Sequence, residues 1–133
     1  AIGLPKSQII SECFGLDDDC LSFVPKPVHG VIVTIERLKA PETAPVQTAD
    51  AAHFYMKQTG TLDNACGIIA SIHSVLNNLD AFTLESGSIL DRFHKDCENK
   101  TPAERATILE GFNDFKEVHK KHASEGSSVQ PDD

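Results

Sequence analysis

The clearest hydrophobic pattern in the chain begins just after residue 64. Apolar side chains recur there every three or four positions, which is the spacing of one face of an α-helix. Asp63 or Asn64 can supply the N-cap, and Asn77 with Asn78 can end the helix. The pattern therefore predicts a helix from Asn64 to about Asn77. Its core-facing residues are Ile68, Ile69, Ile72, Val75, Leu76 and Leu79.

Two further helices are predicted after this one. The polar turn from Glu85 to Ser88 can cap a helix. Thr101-Pro102-Ala103-Glu104 has Thr at the N-cap, Pro at the first helical position and Glu three residues after the cap, which together form a capping box. The first helix would turn Ile89, Leu90, Phe93 and Cys97 inward. The second would run as one helix to about Lys121, with Ile108, Leu109, Phe112, Phe115 and Val118 inward.

The N-terminal third has short apolar runs without helical periodicity. Gln8 to Phe14 is apolar and short, and it predicts a strand. Val28 to Ile35 is β-branched and almost continuously apolar, which predicts a strand buried on both faces. Between them, Asp17 or Asp18 can cap a short helix. Arg37 to Ala52 contains two prolines without periodicity and is interpreted as an exposed connection.

Composition excludes several classes of protein. The chain has 133 residues, enough for one domain or part of one, and a formal net charge of −8, which argues against a nucleic-acid partner. No apolar run approaches ~20 residues, so no membrane span or membrane partner is predicted. Four cysteines without a close pair favour reduced thiols in the cytoplasm, with neither a metal site nor a cofactor.

Cys66 falls where a polar loop gives way to the best helix. A thiolate in the first turn of a helix is stabilised by free N–H groups and by the helix dipole, an arrangement that thiol hydrolases use. Ala65 and Gly67 are small and leave room for a substrate carbonyl. Gln58, in the preceding loop, could donate to a developing oxyanion beside the Cys66 backbone N–H. The alternative is an inert cysteine that packs as a small hydrophobe.

A general base for Cys66 is harder to assign. His73 lies two helical turns away, about 10 Å along the axis, so it cannot reach Cys66. His29, His53 and His94 are geometrically possible, and no pattern singles out one of them. His119 and His122 have a spacing that could hold a metal, but a solvated helix face is the favoured interpretation: a metal site needs a third ligand.

Several segments resemble the ubiquitin carboxyl-terminal hydrolases, a family of papain-like thiol proteases. The resemblance covers residues 2–126 in order. Its central part is Phe54-Tyr55-Met56-Lys57-Gln58-Thr59, then Asn64-Ala65-Cys66-Gly67, then Ile72-His73-Ser74-Val75. Supporting parts are Gly15-Leu16-Asp17, Leu21 to Val28, Glu85 to Ser88 and Thr101 to Ala106. The loop between Gln58 and Cys66 is longer than the usual family spacing.

The resemblance implies an α+β fold in which helices pack on an antiparallel sheet that is incomplete here. It also implies that Cys66 is the nucleophile and Gln58 the oxyanion-hole side chain. The substrates would be ubiquitin adducts, cleaved at the carbonyl of the ubiquitin C-terminal glycine. Residues 1–122 would be part of the catalytic domain, lacking the family's N-terminal strand and helix. Residues 123–133 would begin a disordered crossover loop.

In this family the catalytic histidine and aspartate follow the crossover loop, so neither is expected among these residues. The chain alone is then expected to be weak or inactive, and a second polypeptide could complete the fold. An alternative is a non-catalytic ubiquitin-binding or interaction fragment. A third is a soluble domain in which Cys66 is inert.

Overall fold

The computed structural model describes residues 2–34, 53–58 and 65–123. The described part contains five helices, whose order along the chain is α1 (Asp18–Ser22), α2 (Cys66–Leu76), α3 (Ile89–Asp96), α4 (Pro102–Gly111) and α5 (Asn113–Ala123). The whole of the predicted connection from Arg37 to Ala52 lies outside the described residues. Residues 124–133 do too, so the crossover-loop assignment stays a prediction.

Helix α2 is confirmed, with the predicted face inward. Ile69, Ile72 and Leu76 are buried, and the helix ends at the C-cap Asn77. The predicted cap is corrected: the N-cap position is Ala65, whose side chain makes no capping hydrogen bond, while Asp63 and Asn64 lie outside the described residues. The helix therefore begins at Cys66 itself.

The other predicted caps are present. Asp17 accepts a hydrogen bond from the Cys20 N–H at 3.0 Å and begins α1. Ser88 accepts from the Asp91 N–H at the start of α3. Thr101 begins α4 with a full capping box. Each of these caps needs only residues within one turn, which is why the local sequence predicts them.

The predicted single helix from Thr101 to Lys121 is two helices. Gly111 ends α4 and Phe112, in an extended conformation, separates it from α5. The break lets Phe112 and Phe115 both reach Phe93, with ring centroids 5.6 Å and 5.4 Å away and ring planes almost perpendicular. Aromatic pairs favour this edge-to-face geometry. The packing of three rings explains the break, which the continuous apolar periodicity did not predict.

Phe93 lies at the centre of the core and is fully buried. It contacts Phe54 at a ring-centroid distance of 6.5 Å as well as the two rings from the α4–α5 region. The buried cluster draws on the segment before α2 and on the helices after it. Its members are Met56, Ala65, Ile69, Ile72, Leu76, Leu90, Phe93, Cys97, Leu109 and Phe115.

The two predicted strands are not present. No strand occurs among the described residues, and residues 8–14 and 28–34 have no regular secondary structure. Their apolar side chains face solvent: Ile10 is 78% exposed and Val31 77% exposed. A strand exists only as part of a ladder, and apolar composition alone does not supply the neighbouring strand. The expected antiparallel sheet is therefore not confirmed in the described part of the chain.

Ile2 and Gly3 are fixed to the first turn of α3 and to the turn that precedes it. Ile2 O accepts from the Leu90 N–H at 3.0 Å, and Gly3 O accepts from the Glu85 N–H at 3.1 Å. Gly3 has a φ of +111°, and a Cβ there would lie 2.0 Å from the Ser88 Oγ. Only glycine fits this position, because both the backbone angle and the space exclude a side chain.

Candidate active site at the start of helix α2

Cys66 is the first residue of α2 and is exposed. The first turn is closed by the Ile69 N–H, which donates to Ala65 O at 2.9 Å. Within the described residues no side chain caps this end of the helix. A Cβ added at Gly67 would meet no atom of the described residues within 4 Å.

Asn77 clamps the segment that leads to Gln58. Its Oδ1 accepts from the Phe54 N–H at 2.8 Å, and its Nδ2 donates to Phe54 O at 2.9 Å. The same Nδ2 donates to His73 O at 2.8 Å. One side chain therefore satisfies both backbone groups of Phe54, as a neighbouring strand would, and ties the segment to the C-terminal end of α2.

His73 makes the next attachment. Its Nε2 accepts from the Met56 N–H at 2.9 Å, and the imidazole stacks on Tyr55 with ring centroids 5.4 Å apart. Burial lowers the pKa of His73, which favours the neutral imidazole that this hydrogen bond requires. The role of His73 is therefore to position residues 54–56, and sequence reasoning had only excluded it as a base.

Helix α4 holds the segment from the other side. The Lys57 N–H donates to Pro102 O at 3.0 Å. The Arg105 Nη1 donates to Tyr55 O at 3.1 Å, and its guanidinium lies over the Phe54 ring, 4.5 Å from the centroid. Together these contacts fix residues 54–57 between α2 and α4 through backbone groups.

The segment runs antiparallel to α2. Phe54 is attached at Asn77 and Met56 at His73, so moving forward along the segment means moving toward the start of the helix. Gln58 is the next described position beyond this clamp, and it is exposed. The residues that join it to Cys66 (59–64) lie outside the described part. Both predicted site residues are thus exposed, and the chain carries Gln58 toward the end of α2 where Cys66 lies.

Four histidine side chains are described, and none lies at the start of α2. His53 and His94 both line a cavity of about 710 Å³, together with Leu76 and Asn77 at the far end of the helix. His29 lies edge-on to Phe82, with ring centroids 5.9 Å apart. His73 is engaged by Met56. The side chains of His119 and His122 lie outside what the structure describes.

The two cavities near α2 do not contain the candidate site residues. A second cavity, of about 770 Å³, lies between the N-terminal third and residues Ser71, Ser74 and Val75 of α2. Neither this cavity nor the one lined by His53 includes Cys66 or Gln58. No group of three or more metal-ligating side chains occurs among the described residues. The chemistry that Cys66 can support is therefore that of an accessible thiol at a helix N-terminus.

Sequence reasoning missed the residues that hold the site in place. Asn77 was read only as the end of α2, and Arg105 was not singled out. Their partners lie 23 and 50 residues away in sequence. The only local signal was an asparagine at the C-cap, which is also a common terminator and does not reveal a distant partner.

An exposed cysteine that begins a helix is in a position where a thiol can act as a nucleophile. Comparison with known proteins gives the family. All of residues 1–133 match the profile "Ubiquitin carboxyl-terminal hydrolase, family 1". The chain belongs to this family.

Three relatives illustrate the similarity. Ubiquitin carboxyl-terminal hydrolase 3 of Arabidopsis thaliana is 33% identical over 137 residues, covering 97% of this chain and 58% of the relative. Ubiquitin carboxyl-terminal hydrolase of Drosophila melanogaster is 31% identical, covering 96% of this chain and 59% of the relative. Ubiquitin carboxyl-terminal hydrolase isozyme L1 of Rattus norvegicus is 30% identical, covering 94% and 59%.

The chain spans somewhat more than half the length of these relatives. Among the described residues, no helix is both long and apolar enough to cross a membrane.

Proposed function

We propose that this chain supplies the nucleophile of a cysteine-dependent ubiquitin hydrolase. Cys66 attacks the carbonyl of the C-terminal glycine of ubiquitin, and hydrolysis of the acyl-enzyme releases a small adduct or peptide. Cytoplasmic ubiquitin adducts are the proposed substrates. The observation that carries the proposal is the exposed Cys66 at the first position of α2 in a chain of this family.

The clamp supports Gln58 as the oxyanion donor. Between Phe54 and Met56 an extended segment advances about 7 Å, and between Asn77 and His73 the helix rises 6 Å, by the standard rises of about 3.3 Å and 1.5 Å per residue. The segment and the helix therefore cover about the same distance between these two attachments. Continued for two residues, the segment brings Gln58 about level with Ile69, which lies about one helical turn after Cys66. A glutamine side chain can span most of that distance.

The positions of the histidines support low activity for these residues alone. His53 and His94 lie at the opposite end of an eleven-residue helix, about 15 Å from Cys66 along its axis. A general base must come within hydrogen-bonding reach of the thiol or act through one water. We expect the base to come from the part of the family's domain that these residues do not include, or from a second polypeptide.

The exposed N-terminal segments are consistent with a sheet that is incomplete in this chain. Residues 8–14 and 28–34 have strand-like sequences and exposed apolar side chains, and Gly30 packs closely on Ser74 of α2. A Cβ at Gly30 would lie 2.3 Å from the Ser74 Oγ. We propose that these segments become strands of an α+β papain-like fold when neighbouring strands are present to complete the ladder.

Labelling by ubiquitin that carries a C-terminal electrophile tests the proposal. The protein should be labelled at Cys66 slowly, and added imidazole should increase the rate by acting as an external base. Cys66→Ala should abolish labelling. Cys13→Ala is the matched control, because Cys13 is also an exposed free thiol, and it should leave the rate unchanged. Equal labelling of Cys13 and Cys66 would contradict the proposal.

Hydrolysis of a fluorogenic ubiquitin C-terminal amide tests Gln58. With imidazole present as the external base, Gln58→Ala should lower the rate of hydrolysis by about 10²- to 10³-fold if its amide stabilises the oxyanion. Lys57→Ala, at the neighbouring exposed position, should change kcat little. Ubiquitin binding without any turnover, even with imidazole present, would favour the alternative of a non-catalytic ubiquitin-binding protein.

A further inference from the structure

One cysteine precedes the turn that leads into α1, and a second lies inside that helix. Cys13 is exposed and Cys20 is half-buried, and both are free thiols. They lie on opposite sides of Gly15. The Cys13 thiol donates to Gly15 O at 3.1 Å. The Cys20 Sγ lies 3.0 Å from the point that a Cβ on Gly15 would occupy. Both sulfurs therefore contact the same residue.

This shared contact limits the distance between the two sulfurs. Within one residue the carbonyl oxygen and the Cβ position are about 3 Å apart, so the sulfurs are separated by at most about 9 Å. The absence of a side chain at Gly15 allows the approach, because a Cβ there would crowd both the Cys20 Sγ and the Asp17 Oδ2. The turn therefore holds both thiols against one residue, Gly15.

We propose that Cys13 and Cys20 are a dithiol pair that closes into an intrachain disulfide when the protein meets a disulfide oxidant such as oxidised glutathione.

The segment can make the remaining movement at little cost. Phe14 and Leu16 are each 86% exposed, so no core packing holds them in place. Residues 8–14 have no ladder partner in the described structure. Helix α1 is only five residues long, and the Asp17 cap holds its start. Local rearrangement can therefore bring the Cα atoms within the ~7 Å that a disulfide requires.

The reaction follows ordinary thiol–disulfide exchange. The Cys13 thiolate attacks one sulfur of oxidised glutathione, forming a mixed disulfide and releasing one glutathione thiolate. The Cys20 thiolate then attacks the Cys13 sulfur and releases the second. The two cysteines lose two electrons in total, oxidised glutathione gains them, and the two thiol protons end on the released glutathiones. Cys13 reacts first because its side chain is the more exposed.

The surroundings of Cys20 fit the role of the second, resolving thiol. Its hydrogen bond to the Asp17 carboxylate raises the pKa of the thiol, so a smaller fraction is ionised at neutral pH than for an ordinary cysteine. Cys97 is excluded as a competitor, because it is 1% exposed and burial raises its pKa to about 11. This leaves Cys66 as the other accessible thiol, and it lies at the start of a different helix.

The test is equilibration of the protein with mixtures of reduced and oxidised glutathione, followed by acid quenching and non-reducing peptide mapping. We expect a linked peptide that joins Cys13 and Cys20. The effective concentration of the pair should be about tenfold or more higher in the folded protein than in concentrated urea, since folding restricts the turn. Cys13→Ser and Cys20→Ser should each retain glutathione as a stable mixed disulfide on the remaining thiol.

Two results would overturn the proposal. One is an effective concentration no higher in the folded protein than in urea, which would mean that the turn contributes nothing. The other is oxidation that links Cys66 to a second molecule while Cys13 and Cys20 carry only glutathione. Gly15→Ala gives an independent check, because crowding the Cys20 sulfur should lower the effective concentration of the pair while leaving both thiols in place.

Discussion

Replacing Asn77 by alanine should release the segment that leads to Gln58. The change removes three hydrogen bonds: two that hold both backbone groups of Phe54 and one to His73 O. A typical bond contributes about 0.5–1.5 kcal/mol, and these are partly exposed, so water replaces some of the loss. We expect Asn77→Ala to lower the free energy of unfolding by about 1–2 kcal/mol.

Asn78→Ala is the matched control. Asn78 occupies the next position at the same helix end, but it makes one local bond, from its Nδ2 to Ser74 O at 2.8 Å. Its removal should cost about 0.5 kcal/mol. Both variants exchange an asparagine for an alanine at the end of α2, so differences in helix propensity largely cancel. The difference between the variants therefore measures the long-range attachment to Phe54.

Urea unfolding and amide hydrogen exchange check this prediction together. Asn77→Ala should lower the protection of the Phe54 amide about tenfold, since a change of about 1.4 kcal/mol corresponds to that factor. The Met56 amide, which His73 holds, should lose less protection. The reasoning is refuted if the two variants unfold at the same urea concentration and the Phe54 amide is equally protected in both.

Three other measurements test separate parts of the fold. Burial lowers the pKa of His73 below the ordinary histidine value of 6.5, so protonation favours the unfolded chain. Stability should therefore fall as the pH drops through about 6.5, and His73→Gln should remove that part of the pH dependence. Gly3→Ala should destabilise the protein strongly in thermal unfolding, because of its φ and the contact with Ser88, whereas Gly111→Ala, with open space around it, should be neutral or stabilise by up to about 1 kcal/mol. Thr101→Ala should cost about 1 kcal/mol in urea unfolding by removing a cap; no loss would mean that the capping box contributes nothing.

The helices were predictable because the information is local. A capping residue, a first-turn proline and a repeating apolar face all lie within a few residues of each other, as Thr101 and Glu104 show. The break after Gly111 was not predictable in this way. The apolar spacing continues across it, and only the position of Phe93, supplied by another helix, shows why Phe112 leaves the helix.

The predicted strands failed for the complementary reason. Val28 to Thr34 has the composition of a buried strand, but burial depends on what lies on either side of it. In the described structure its side chains are exposed and no ladder forms. The site was predictable in part: Cys66 at a helix start follows from local sequence, whereas the clamp by Asn77 and Arg105 depends on contacts across the fold.

In α2, the residues that stabilise the helix are different from the residue that would carry out the chemistry. Ile69, Ile72, Leu76 and the Asn77 clamp hold the helix to the core, while Cys66 is exposed at its first position. An exposed residue away from packing typically changes stability by less than about 0.5 kcal/mol when replaced, so Cys66→Ala should leave the unfolding free energy almost unchanged. Ile72→Ala, at a position 2% exposed, should cost about 2–5 kcal/mol. Loss of labelling in a fully stable Cys66→Ala protein would therefore report on the thiol itself and not on the fold that presents it.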